Sequence, residues 1–357
     1  MSSVNFNDTF WGLKENWWKQ VIDGKYHHLG QEVFDKGLHK GNTEPGYLES
    51  AKKASELACE NLGKKIDADF YKFLNKTACS HFDQVSRSQI NMDPDNSGTF
   101  RNTNCRCIMS IAKRAICKID PLNCGVRKKE PKSIELRISA LEYLTSRERY
   151  NNLLEIEDNS EDGRFRYYFD PEYTSSELLE FYLKDGIITI KDIFYFREAH
   201  QKIDEEVKVI NNELKKISEI LEIKTPLASI KRYAPHDLNV YVHYQYKNAE
   251  TIEEIVNKLF DEYYKTVEQP TSSVEKKQEL TLNAIAALFQ KLEWLHPFAD
   301  GQGRTDLILL SKLLVEQGFT PAILYDPYFS TTSTLNDWVD YLKQGMVIWK
   351  KENKKTA

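Results

Sequence analysis

The sequence predicts a mainly α-helical protein carrying one short β-hairpin. Two observations lead there. Apolar residues recur at helical spacing along most of the chain, without Pro or Gly from Ile190 to Ile223, and again over 280–295 and 305–317. Against that background Val240-Tyr241-Val242-His243-Tyr244-Gln245-Tyr246 is strongly β-prone. With 357 residues, 41% of them hydrophobic, the chain is long enough for two or three domains or one large helical body. The pattern divides into an N-terminal, mostly helical domain over 1–185 and a second domain over 186–357.

Taken in order, residues 5–40 hold clustered aromatics, among them Phe10, Trp11, Trp17, Trp18 and Phe34. They predict short helices packed on a larger body, with His27, His28 and His39 exposed. Residues 46–82 are helical in pattern, with a break at Gly63. Residues 91–98 resemble the start of a calcium loop, but Asn104 stands where the bidentate Glu is needed, so a polar turn is expected. An apolar helix is expected over 107–117, a basic solvated loop over 127–132, a helix over 133–156 and an acidic turn over 158–163. A short strand is expected over 164–169, then a helix from Glu177 to Gly186 capped by Ser175 or Ser176. The long helix from Ile190 ends at Thr225-Pro226. Residues 230–233 and 239–246 form the hairpin around 234–238. A helix opened by Asn248 or Thr251 follows, then a polar connector over 268–276 and the helix over 280–295. Gly318 closes the helix after it, and Ser333 or Thr334 caps a last helix that frays from Lys350.

Charge excludes some partners. The chain has 49 basic and 54 acidic residues, a net charge of −5, so nothing points to nucleic acid. No run of 18 apolar residues marks a transmembrane helix, and the N-terminus lacks the basic and apolar regions of a secretory signal. A cytoplasmic location where the protein is made is expected, and export into a host cell by a route that reads no cleavable signal is compatible with it. The six Cys lack the C-x-x-C pairs of a zinc site and read as free thiols.

Between the two apolar helices lies His296-Pro297-Phe298-Ala299-Asp300-Gly301-Gln302-Gly303-Arg304. A helix, a short Gly-containing loop and a second helix gather anion-binding groups in one place. The first turn of the second helix offers unpaired N–H groups and a positive dipole end. Gly301 and Gly303 let the backbone approach a phosphate. Arg304 adds a fixed charge and a planar fork. Asp300 is a hard oxygen ligand of the kind that holds Mg²⁺ beside phosphates. His296 is of the type that accepts a proton near neutral pH.

This stretch resembles the signature of the Fic family, H-x-F-x-D/E-G-N-G-R-x-x-R. His296, Phe298, Asp300, Gly301, Gly303 and Arg304 match; Gln302 replaces Asn, and Leu307 replaces the second Arg. The resemblance covers roughly residues 230–318. It implies a helical Fic-like core over 186–357 with a β-hairpin flap near 230–246. It also implies transfer of a nucleoside monophosphate, AMP from ATP in the first instance, onto a hydroxyl of a target protein. In that reading His296 is the general base and Asp300 the Mg²⁺ ligand, while Gly301, Gln302, Gly303 and Arg304 hold the co-substrate. The target would lie along the hairpin near 239–246 as an added strand.

The departures widen the choice. In the family the second Arg helps hold the terminal phosphate, which Leu307 cannot do. Transfer of phosphocholine or UMP, from CDP-choline or UTP, is therefore an alternative. A catalytically silent Fic-like binding module is another, disfavoured by the intact His296, Asp300 and Arg304. A kinase-like transfer, as in the related Doc toxins, is a weaker option. An inhibitory S/T-x-x-x-E-G/N motif is not found; Ser176 to Glu180 has the spacing, but Phe181 follows. The arrangement is similar to that of bacterial effectors that modify host proteins. Target and oligomeric state are not legible.

Overall fold

The computed structural model describes residues 6–36, 45–81, 97–101, 105–119, 141, 190–233, 239–245 and 247–356. It is mainly α with one small antiparallel sheet. In chain order the elements are α1 (Phe6–Phe10), 3-10 segments Lys14–Gln20 and Gly24–Leu29, α2 (Gln31–Asp35), α3 (Tyr47–Glu60) and α4 (Ala68–Ala78). Then come β1 (Cys105–Ser110), α5 (Ile111–Ile119), α6 (Ile190–Ile220), β2 (Ala228–Lys231) and β3 (Asn239–Tyr244). The chain continues through α7 (Ala249–Val267), α8 (Val274–Leu295), α9 (Gln302–Glu316), a 3-10 segment Pro327–Thr332 and α10 (Leu335–Thr356).

Helix α8 is the hub, packing on α7, α9 and α10. Its side toward them carries Leu282, Ile285, Leu288, Phe289, Leu292 and Leu295, all buried. It starts at Val274, earlier than the apolar pattern suggests, because the Ser273 side chain accepts the Lys276 N–H at 3.2 Å and starts a solvated polar turn. Helix α7 is opened by Asn248 in the same way. Helix α9 is buried on nearly every side, and even its charged residues are inside. An unpaired buried charge costs several kcal/mol, and these are partnered: Lys312, for instance, pairs with Glu316. Gly318, at φ +79°, ends α9 in the left-handed conformation, its N–H donating to Val315 O and that of Phe319 to Leu314 O.

Helices α3 and α4 pack on α9, and one continuous apolar cluster runs from Trp17 to Leu342. The expected boundary at 185/186 falls outside the described residues, as do the features expected over 91–96, 127–132, 133–140, 142–186 and 234–238. The N-terminal aromatics are core: Trp17 and Trp18 are buried, and His27 stacks edge-on against Trp18.

Two expectations are corrected. Residues 107–110 belong to strand β1, and the helix starts at Ile111. Cys-Arg-Cys-Ile-Met-Ser has little β propensity of its own; pairing with β3 makes it a strand. The C-terminal helix runs to Thr356 without fraying at Lys350, because Glu352 is paired with both Lys19 and Lys355.

The sheet order is β1-β3-β2, antiparallel throughout. The hairpin therefore forms as expected, with Ala228 opposite Tyr244 and Lys231 opposite Tyr241. Its second strand is nevertheless the middle strand. β1 fills the other edge of β3, pairing Cys105 with Tyr244 and Ser110 with Asn239. A further strand cannot add directly to Asn239–Tyr244 unless a partner leaves. At the outer edge of β2, the Asn211 side chain bonds both the N–H and the C=O of Ile230.

Candidate active site

His296 caps the C-terminus of α8 in the left-handed conformation, φ 45° and ψ 61°, its N–H donating to Leu292 O. A non-glycine residue there carries strain of about 1–3 kcal/mol, which the surroundings must impose. Arg101 does much of this. Its N–H donates to Pro297 O at 2.7 Å, and its guanidinium donates to the carbonyls of His296, Leu295 and Gln245. One buried arginine thus ties the end of α8 to the end of β3. From β3 the Tyr244 ring stacks on His296, with centroids 4.3 Å apart and planes 12° apart. His296 Nδ1 is closed to solvent and has no hydrogen-bond partner among the described residues. Burial, and then the positive charge of Arg101, lower the ring pKa to about 3, so it is a neutral imidazole at physiological pH.

Phe298 anchors the loop from below. It is fully buried against Tyr71 and Phe100, at 4.9 and 5.3 Å between centroids. Asn75 on α4 clamps the loop from the side, donating to Asp300 O and Thr305 Oγ1. Asp300 is half-buried, and its Oδ1 accepts the Gly301 N–H at 2.6 Å. Gly301 is the N-cap of α9 at φ +71° and supplies no side-chain acceptor. A Cβ there would sit 2.2 Å from Cys79 Sγ and 3.1 Å from Asn75 Nδ2. Gly301→Ala is expected to cost at least about 2 kcal/mol from the left-handed backbone and the collision together. A midpoint in urea denaturation equal to wild type would show that the loop relaxes freely. Gly303 differs: a Cβ there would make only ordinary contact with Tyr328 Oη, at 3.6 Å. Folding alone does not require glycine at 303, whereas close approach of a ligand to its N–H does.

The remaining residues of the motif point inward. The Gln302 side chain is committed to the interior: Oε1 accepts the Phe298 N–H, and Nε2 donates to Tyr71 Oη and Asp306 Oδ2. Arg304 is buried too, donating to Ala78 O at 2.9 Å with its guanidinium 4.0 Å from the Tyr47 ring centroid and beside His81. Leu307 is packed in the core. The structure therefore places Asp300, Gly301 and Gly303 at the N-terminus of α9 and His296 at the end of α8, with Gln302 and Arg304 bracing the loop from inside.

The fit to Mg²⁺ is that of a single-carboxylate site. Asp300 keeps one oxygen outside its bond to Gly301, next to the end of α9, and Mg²⁺ binds through one or two carboxylates together with substrate phosphates. Among the described residues no group of three or more His, Cys, Asp or Glu could hold a metal unaided.

Sequence reasoning misses Arg101, Asn75, Tyr244 and Tyr328. Arg101 and Asn75 lie 195 and 225 residues from their main-chain acceptors His296 and Asp300, with no local signal. Tyr244 is foreshadowed by strand alternation, which puts Val240, Val242 and Tyr244 on one face.

A neutral histidine at the end of α8 and the glycine-capped N-terminus of α9 bound one short loop. Residues 198–314, which span most of α6, the hairpin, α7, α8, the loop and most of α9, match the model of the Fic/DOC family, a family of transferases that act on proteins. No curated protein matches the chain. No helix among the described residues is long and apolar enough to cross a membrane.

Proposed function

We propose that the protein transfers a nucleoside monophosphate, AMP from ATP in the first instance, onto a hydroxyl side chain of a target protein. The observation that carries this reading is the neutral His296 beside the Gly301-capped end of α9. With Nδ1 closed off, Nε2 is the nitrogen left for a substrate. It takes the proton of the target hydroxyl as that oxygen bonds to phosphorus, and the bond from phosphorus to the leaving diphosphate breaks. A ring pKa near 3 makes a weak base. The negative charge of an arriving donor opposes that of Arg101 and raises the pKa toward the useful range. The N–H groups of Gln302 and Gly303 hold phosphate oxygens at the helix end, so Gln302 acts through its backbone. Arg304 adds positive charge from a fixed position. Mg²⁺ at Asp300 would offset charge on the leaving phosphates.

The target lies against the hairpin. Because both edges of β3 are filled, contact with 239–244 passes through outward side chains: Tyr241 and His243, with Tyr233 packed on both. A second reading, transfer from CDP-choline or UTP, draws on Leu307, which leaves no cation where the signature has its second Arg.

The test is intact-mass spectrometry after incubation with Mg²⁺, lysate proteins and a panel of ATP, UTP, GTP, CTP and CDP-choline. A mass gain of an adenylyl group, absent in His296→Ala, is expected. A gain corresponding to another donor selects the second reading. No gain with any donor rejects both and leaves a binding module.

A further inference from the structure

Beneath the signature loop lies a buried polar network that the transfer chemistry does not use. Asp306 on α9 accepts the Tyr71 O–H at Oδ1 and a Gln302 N–H at Oδ2, the latter at 2.6 Å. Glu293 on α8 is completely buried, and neither of its oxygens meets an N–H or O–H donor. Asp306 is its nearest charged neighbour, close enough for the two carboxyl groups to interact. Two adjacent buried carboxylates cannot both be charged, so the pair holds a proton. Two donors already serve Asp306 and favour its ionised form. Glu293, with no donor of its own, is the better place for that proton.

This proton count fixes everything above it. Tyr71 spends its hydrogen on Asp306, so its oxygen accepts the second Gln302 N–H, at 2.8 Å. With both Nε2 hydrogens used, Gln302 Oε1 must face the Phe298 N–H, at 3.1 Å. Phe298 lies two residues from His296.

We propose that Glu293 and Asp306 share one proton and act as positioning residues for the loop, setting the Gln302 carboxamide and, through it, the turn over 296–298. The effect on catalysis rests on the transferase reading; the effect on the loop does not. Loss of the shared proton places two negative charges side by side under the loop and breaks the order of donors that holds it. The surroundings do not favour that second charge. Tyr71 on α4, Tyr244 on β3, Cys107 on β1 and Tyr328 in the last 3-10 segment are neutral groups near Glu293. Asp23 and Asp326 add negative charge, and each is paired, Asp23 with Lys25 and Asp326 with Lys25 and Lys113.

The test uses the full chain, infrared titration and residue-resolved hydrogen exchange. Wild type at pH 7 is expected to show a protonated-carboxyl stretch that Glu293→Gln removes. Asp306→Asn should speed exchange of the Phe298 N–H about tenfold or more, the loss of roughly one hydrogen bond. Glu293→Gln retains a donor to Asp306, so it should keep Phe298 protected at pH 7. It should also abolish the extra acceleration that wild type shows on going to alkaline pH. With a donor identified, Glu293→Gln should shift the alkaline limb of kcat to higher pH. The absence of the carboxyl band overturns the proposal, as does identical Phe298 exchange in wild type and Asp306→Asn. Neither readout needs a donor or a target. Failure of the transferase reading would show separately, as no mass gain in wild type.

Discussion

His296→Ala is expected to abolish detectable transfer while the protein stays folded. A positioned general base contributes about 10²–10⁴-fold in rate. The fold is expected to tolerate the change because the ring has no hydrogen bond to lose at Nδ1, and the aromatic contact given up is the stack on Tyr244. The variant also has a signature in stability. His296 titrates near 3 in the folded chain, below the ordinary value of about 6.5 for an unfolded one. A base with a depressed pKa stabilises the fold above the unfolded value and loses that contribution as pH falls. Between about pH 6.5 and pH 3 the unfolded chain binds the extra proton, and wild-type stability should fall by up to about 1.4 kcal/mol per pH unit from this group. His296→Ala should lose that slope. Denaturation curves at stepped pH, run beside the mass assay, read both effects. Transfer retained in the variant would remove His296 as the base.

Arg101→Ala should be the most destabilising single change near the site. The guanidinium serves three main-chain carbonyls in an interior where it is itself 3% exposed. Hydrogen bonds to a charged group contribute about 1.5–3 kcal/mol each, and truncation strands the acceptors. Summing three such values overshoots, because the carbonyls relax together. A loss of about 3–5 kcal/mol is expected, the range reserved for broken buried networks. Arg101→Lys should fall between, since an ammonium lacks the fork that spans α8 and β3 at once. Chemical denaturation measures this directly. A change under about 0.5 kcal/mol, the scale of an ordinary surface substitution, would mean that the clamp is incidental. Activity should drop as well, because the same bonds hold His296 at positive φ.

Much of this architecture is legible in the sequence, for identifiable reasons. The uninterrupted apolar periodicity of α6 and the sharp stop at Gly318 declare helices by local chemistry alone. The hairpin is legible because β-branched and aromatic residues alternate over 240–244. The signature loop is legible because its requirements are local: glycine at the cap, a carboxylate at the tip, histidine at the preceding helix end. Strand β1 is not legible, since Cys105–Ser110 owes its extended form to a partner about 130 residues away. The inward turn of Gln302 is hidden likewise, because it depends on Tyr71 from another helix. Glu293 did leave a trace, as a lone acid inside the apolar run Leu292–Leu295, and Asp306 left another before Leu307.

The third strand also bears on how the protein is made. The Fic-type segment 198–314 contains His296 and its loop but none of Asn75, Arg101 or β1. Each of these arrives from the ribosome well before its partner and must wait for it. Closing loops of that length is slow, and contacts so distant in sequence form late in folding. The signature loop thus reaches its final shape only after the early and late parts of the chain have met. A half-finished or partly unravelled molecule would hold the signature residues without the geometry that assembles them.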